Sequence, residues 1–194
     1  DRGMAADPAR REAFRESIGL AREYAQATGA KTLHLMAGQI APDAARAAWT
    51  RTLVENVALA ADVLAADGLT VVLEPINTRV DMPGYFYDTT AAVLAVMDAA
   101  DRPNVKLLYD VYHMQIMEGN VIATIRAHHK HISHYHTGGV PGRNEIDDSQ
   151  ELYYPAIMRA IADTGYQGFV AQEFIPKNPD KLASLKQGIA ICSV

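Results

Sequence analysis

The chain has 194 residues, 49% of them apolar, a formal net charge of −5 and a single cysteine, Cys192. That length can bury one sizeable core, the acidic balance gives no electrostatic reason to expect nucleic acid or an anionic membrane as a partner, and a lone cysteine excludes an internal disulfide framework and a zinc–cysteine module. No apolar run approaches the roughly 20 residues that span a bilayer, and the charged first residues do not read as a signal peptide; with Asp rather than Met at position 1 the compartment stays open, cytoplasmic by default.

The elements alternate along the chain. Asp7 caps and Pro8 opens a helix whose buried stripe is Phe14, Ile18, Ala21 and Tyr24 or Ala25, with Gly29 as its stop. Lys31 to Gly38 reads as strand. A second helix runs from Pro42 to Asp67, with Trp49, Leu53, Val57, Ala60 and Leu64 on one stripe and Gly68 at its end. Leu69 to Ile76 is strand, Asp88 caps a helix to Ala99, and Val105 to Val111 is strand again. Asn120 starts a short helix to His129, Ile132 to Thr137 is strand, and Tyr154 to Asp163 is a helix ended by Gly165. Phe169 to Phe174 is the last strand, and Asn178-Pro179 opens a closing helix.

Such alternation implies right-handed βαβ crossovers and a parallel sheet. Five strands could form an open doubly wound sheet, although no strand-to-helix turn carries a phosphate-cradling glycine fingerprint. They could equally be part of a (β/α)8 barrel lacking three βα units at its front. The Gly138 to Glu151 segment is loop-rich and at that length suits a site loop better than a connector.

The apolar runs share one property at their ends. Val71-Val72-Leu73 ends in Glu74, Val105 to Tyr109 in Asp110, Ile132 to Tyr135 in His136, and Phe169 to Gln172 in Glu173. Buried charges are costly unless paired or bound to metal, so their convergence at one end of a parallel sheet would make a hard divalent-cation site.

Three stretches carry a resemblance: Leu73-Glu74-Pro75-Ile76-Asn77-Thr78-Arg79, Tyr109-Asp110-Val111-Tyr112-His113-Met114-Gln115-Ile116-Met117-Glu118-Gly119, and Gly165-Tyr166-Gln167-Gly168 leading to Gln172-Glu173-Phe174. They resemble the hydroxypyruvate isomerase family of the xylose-isomerase-like TIM barrels, whose relatives include 2-oxo-tetronate isomerases and ketose 3-epimerases. The likeness runs from Asp1-Arg2-Gly3 to about Pro176. It implies a (β/α)8 TIM barrel present as its fourth to eighth strands, residues 1–194 being one N-terminally incomplete domain. It also implies one Mg²⁺ or Mn²⁺ held by Glu74, Asp110, His136 and Glu173. His136 departs from the glutamine usual in these isomerases and matches the epimerase relatives. An imidazole suits Mn²⁺, Co²⁺ or Zn²⁺ better than an amide oxygen does. The Pro-x-Arg-x-Glu core within Gly138 to Glu145 marks Arg143 and Glu145 as substrate-facing.

The implied chemistry accounts for the residue types. Moving a carbonyl between adjacent carbons takes a proton from one and returns it to the other through an enediolate, which a divalent cation stabilises. Glu74 and Glu173 are assigned both metal binding and proton exchange. His113 is expected to reach a substrate oxygen, and Arg143 to hold a carboxylate bidentately, which favours a hydroxy-oxo acid over a neutral sugar. The rival readings are a ketose 3-epimerase or related sugar isomerase, favoured by His136, and a noncatalytic metal- or sugar-binding barrel. A phosphodiester-cleaving relative fits less well, since ligands for a multi-metal cluster and a basic face are lacking.

Other residues have plainer expectations. His128, His129 and His131 read as a solvated helix end, His34 as a satisfied core histidine, Trp49 as core, and His134 as an inward neighbour of His136. Tyr85, Phe86 and Tyr87 are a pocket wall, an aromatic lid or ordinary packing. Five strands cannot close an eight-stranded cylinder, so either about 70 to 90 further residues precede the chain or a partner, such as a second copy, covers the edge.

Overall fold

The computed structural model describes residues 2–194; Asp1, where the likeness begins, lies outside the described residues. The chain forms two compact units that meet in sequence between Leu107 and Leu108.

The first unit opens with a 3-10 turn, Pro8–Arg10, capped by Asp7, whose carboxylate accepts from the Ala9 amide at 2.9 Å. Helix α1, Arg11–Thr28, buries Phe14, Ile18 and Ala25 and stops at Gly29 in the left-handed region (φ 75°). Ala25 closes the stripe and Tyr24 faces solvent. Strand β1 is shorter than its apolar run, Thr32–His34. Beyond it Ala37 bridges Gly3, and Gly38 turns at φ 99°, where a Cβ would stand 2.8 Å from the Gly3 carbonyl oxygen.

Helix α2, Arg46–Ala65, buries Leu53, Val57, Ala60 and Leu64, while Trp49 is only half-buried, a turn before the apolar stripe. Each fully buried branched side chain contributes about 1.5–3 kcal/mol of transfer free energy, so the stripe holds this helix in place. Strand β2, Thr70–Leu73, pairs in parallel with β1 (Leu33 opposite Val71) and with the start of β3 (Val71 opposite Val105). Helix α3, Thr90–Ala100, is capped by Thr89, which accepts from the Ala92 amide. The expected cap, Asp88, instead accepts from the Thr78 hydroxyl at 2.6 Å.

Strand β3, Val105–Asp110, carries the chain into the second unit. There the structure adds a helix the sequence pattern hid: α4, Val111–Met117, begins without a loop because Asp110 is at once strand end and N-cap. Its short apolar run has no polar face to betray a 3.6-residue period. Gly119 (φ 64°) ends it, and α5, Val121–His128, follows. Strands β4, Ile132–Thr137, and β5, Val170–Gln172, pair in parallel with His136 opposite Ala171. Between them lies α6, Tyr154–Ala162. Helix α7, Lys181–Cys192, is capped by Asp180 rather than opened by Pro179. It buries Ser184 and Gly188; a Cβ at Gly188 would meet Gln172 Oε1 at 2.9 Å and the Phe174 ring at 3.0 Å, so the missing side chain lets α7 approach β5. No described helix is long and apolar enough to cross a membrane.

Candidate active site

In the first unit Glu74 directly follows β2 and is buried, its Oε2 standing 3.5 Å from Nε2 of His34. His34, expected in the core, is an exposed residue at the end of β1 and faces this carboxylate. Tyr85, Phe86 and Tyr87 are all buried. Tyr85 and Tyr87 meet edge to face at 5.5 Å, and the Tyr85 hydroxyl accepts from the Ala37 amide at 3.1 Å. The trio is packed core rather than an open lid, and burial pushes both tyrosine phenols up.

The second unit gathers three of the predicted ligands. Asp110 ends β3, His136 is the penultimate residue of β4, and Glu173 follows β5, its amide donating to the Thr137 carbonyl at 3.0 Å. Parallel pairing of β4 with β5 brings the last two to one edge, and Asp110, His136 and Glu173 each offer a donor atom within 4.8 Å of the others. His136 Nδ1 is 2.7 Å from Glu173 Oε2. Burial alone raises the Glu173 carboxyl, but His136 and Arg143 outweigh it and hold the group at about 2, so it is ionised at neutral pH.

Arg143 is bound into this cluster. Its Nη2 donates to Asp110 Oδ2 at 3.0 Å and to Glu173 Oε2 at 2.5 Å, its Nη1 to His113 Nε2 at 3.2 Å, and its guanidinium lies 5.1 Å from the centre of the Tyr112 ring. The same Nε2 stands 3.6 Å from Asp110 Oδ2, so His113 borders both the guanidinium and the carboxylate. His113 sits on α4, fully buried, and reaches the site through Arg143 rather than projecting from the end of a strand. Arg143 itself adopts φ 57°, a sparsely populated conformation for a side-chain-bearing residue that the surrounding loop must enforce.

Glu145, expected to face the substrate, has both carboxylate oxygens engaged by neighbouring donors. Its Oε2 accepts from the Lys177 amide at 3.1 Å, and its Oε1 from the Asn178 amide at 3.0 Å and the Ser184 hydroxyl at 2.9 Å. These donors, led by the Asn178 amide, outweigh burial and bring the carboxyl down to about 2. The reason is local: the backbone after β5 turns its amides toward this loop, and a carboxylate is the acceptor that satisfies them.

Sequence reasoning missed Tyr154. Its hydroxyl both donates to the Gly138 carbonyl (2.8 Å) and accepts from the Gly138 amide (2.9 Å), fixing the start of the site loop. A tyrosine at a helix start carries no signal of such a role. His134 meets His136 edgewise at 5.0 Å, in line with its strand parity. His129 bonds the Arg126 carbonyl at 2.9 Å and His131 is exposed, as a helix end requires.

Two carboxylates and an imidazole with donor atoms within 4.8 Å of one another are a donor set of the kind that holds a divalent ion such as Mn²⁺. A family model described as "Xylose isomerase-like TIM barrel" matches residues 2–191, and the chain belongs to that family, whose (β/α)8 barrel accounts for its five parallel strands and flanking helices. It is 40% identical over 179 residues to a Homo sapiens protein named putative hydroxypyruvate isomerase, covering 90% of this chain and 65% of that one. It is 42% identical over 177 residues to a 2-oxo-tetronate isomerase of Cupriavidus necator, covering 91% and 67%. A crystal structure described as AP endonuclease, family 2, from Brucella melitensis matches with a TM-score of 0.88 at 39% identity, covering 92% of this chain and 68% of that one. The chain thus spans about two thirds of the length of these relatives.

Proposed function

We propose that the chain is the site-bearing part of a metal-dependent isomerase acting on a small hydroxy-oxo acid, of the type that converts hydroxypyruvate to tartronate semialdehyde. The observation that carries this reading is the cluster of Asp110, His136 and Glu173 with the Arg143 guanidinium held against it. The names of relatives more than 30% identical support the reaction class. Glu74 is the fourth ligand, on the ground that it ends β2 as Asp110, His136 and Glu173 end β3, β4 and β5.

In this mechanism a bound Mn²⁺ or Mg²⁺ supplies Lewis-acid stabilisation of the charge that develops on the substrate oxygens. The protein does the rest. Glu173 stays ionised at neutral pH and takes the proton from the hydroxyl-bearing carbon; Glu74 gives a proton to the neighbouring carbon of the enediolate, and both carboxyls are restored as the old hydroxyl's proton passes to Glu74 and the proton on Glu173 passes to the new hydroxyl oxygen. Arg143 binds the substrate carboxylate, and His113, with Nε2 3.2 Å from Arg143 Nη1, orients that guanidinium.

His136 favours a second reading, a ketose 3-epimerase, because an imidazole occupies the position that is glutamine in the hydroxypyruvate isomerase pattern. Turnover of hydroxypyruvate and of ketohexoses by EDTA-treated full-length protein, before and after Mn²⁺ or Mg²⁺, separates the two. Metal-restored formation of tartronate semialdehyde is expected. Metal-restored ketose turnover alone transfers the chain to the epimerases, and tight metal binding without any turnover leaves a noncatalytic barrel.

A further inference from the structure

We infer that Glu145 is a positioning residue whose carboxylate, pinned by Ser184 of α7, holds the loop after β4 against the segment after β5 so that Arg143 meets Glu173. The inference rests on the function proposed above for its kinetic test, and on geometry alone for its structural one.

The two segments are joined along a short line of hydrogen bonds. The Ile175 amide donates to the Arg143 carbonyl at 2.6 Å, and the Asn144 side-chain amide donates to the Ile175 carbonyl at 2.9 Å. Glu145 closes the line by accepting from the Lys177 and Asn178 amides and from Ser184. Arg143 and Glu173 lie two residues before Glu145 and Ile175 respectively, so a slip of this line moves the guanidinium relative to the carboxylate it touches. The loop has little freedom to compensate: Arg143 bonds Gly139 through its amide at 2.8 Å, and a Cβ at Gly139 would lie 2.2 Å from the Glu145 carbonyl oxygen. Arg143 also holds a left-handed conformation that only such fixation maintains.

Burial decides the direction of dependence. Ser184 is 2% exposed on α7 and Glu145 is 8% exposed, both engaged with each other and with backbone. A carboxylate with three donors already on it has no reason to turn toward an anionic substrate. Its ionised state matters because two amides and a hydroxyl all donate to it, and an amide side chain at this position would oppose at least one of them with its own N–H.

The test uses full-length protein carrying Glu145→Gln, Ser184→Ala and both. For hydroxypyruvate, Glu145→Gln is expected to raise KM about tenfold, Ser184→Ala about threefold, and the pair no more than Glu145→Gln alone, with kcat changing less than KM and Mn²⁺ affinity unchanged. In parallel, amide exchange at Ile175, Lys177 and Asn178 should quicken at least about tenfold in Glu145→Gln. A Ser184→Ala protein with wild-type KM beside an impaired Glu145→Gln protein means direct substrate contact and overturns the inference. Wild-type amide protection in Glu145→Gln overturns it as well. Should the wild-type protein not act on hydroxypyruvate at all, the proposed function falls, and amide exchange alone decides the clamp: quickened exchange keeps it and unchanged exchange removes it.

Discussion

His136 and Glu173 share a 2.7 Å contact between Nδ1 and Oε2, and the same carboxylate oxygen receives the Arg143 guanidinium. One oxygen thus answers to an imidazole and a guanidinium, which is why the carboxyl is held low despite its partial burial. In the proposed reaction Glu173 is both ligand and base. Glu173→Gln should cut turnover by at least about 10² while cooperative melting is retained. Steady-state kinetics with a thermal melt of the same sample checks this; near-normal turnover would remove Glu173 from the chemistry.

His136→Gln restores the residue usual in the hydroxypyruvate isomerase pattern. Replacing a nitrogen ligand by an amide oxygen should move metal preference toward Mg²⁺ relative to Mn²⁺. Competition titrations with the two ions provide the measurement, and an unchanged preference would count against His136 as a ligand.

Asp110 has two attachments that one substitution severs. Its Oδ1 caps α4 at the Tyr112 amide (2.8 Å) and its Oδ2 receives Arg143 (3.0 Å). Asp110→Ala should cost about 1 kcal/mol for the cap, with more for the half-buried guanidinium left short of a partner. Metal affinity should fall further than kcat measured with metal in excess. Denaturant melts and calorimetric Mn²⁺ titration read the two effects separately.

Glu145, like Glu173, should contribute to the acid response. Its carboxyl is held at about 2, below its unfolded value of about 4.3, so the native state binds fewer protons than the unfolded chain between those values. Its stabilisation is therefore complete above about pH 4.3 and fades as pH falls toward 2. Glu145→Gln should flatten the stability profile across that window while lowering stability at neutral pH. Urea melts at a series of pH values would show it, and parallel profiles for wild type and variant would contradict it.

Tyr154→Phe deletes a hydroxyl that serves both polar groups of Gly138. Leaving a buried amide and carbonyl without it should cost about 1–3 kcal/mol per group, seen as a lower melting temperature and looser substrate binding through the Arg143 loop.

The strand-end acids and histidine were legible in the sequence because β periodicity and the acid or imidazole that breaks it sit side by side, as at Tyr109-Asp110 and Tyr135-His136. Helix α4 was not, because Asp110 serves strand and cap together and leaves no loop residues as punctuation. Residue type singled out Arg143, which the structure places against Asp110 and Glu173. It misdirected Glu145, since no local pattern reveals that the amides of Lys177 and Asn178, more than thirty residues on, already claim its oxygens. Helix caps slipped for a similar reason: Asp88 was drawn off by Thr78, and Thr89 took the role.

Helix α7 turns the same face to its surroundings at Ser184 and Gly188, four residues apart and so one turn from each other along the helix. The first pins Glu145; the second admits the helix to within contact of Gln172 and Phe174. A methyl group at position 188 would therefore be felt at Ser184, and through it at a guanidinium it never touches. Sequence variation on the outer helix is in this way a tuning screw for the loop that carries Arg143, adjustable without altering any residue of the cluster itself.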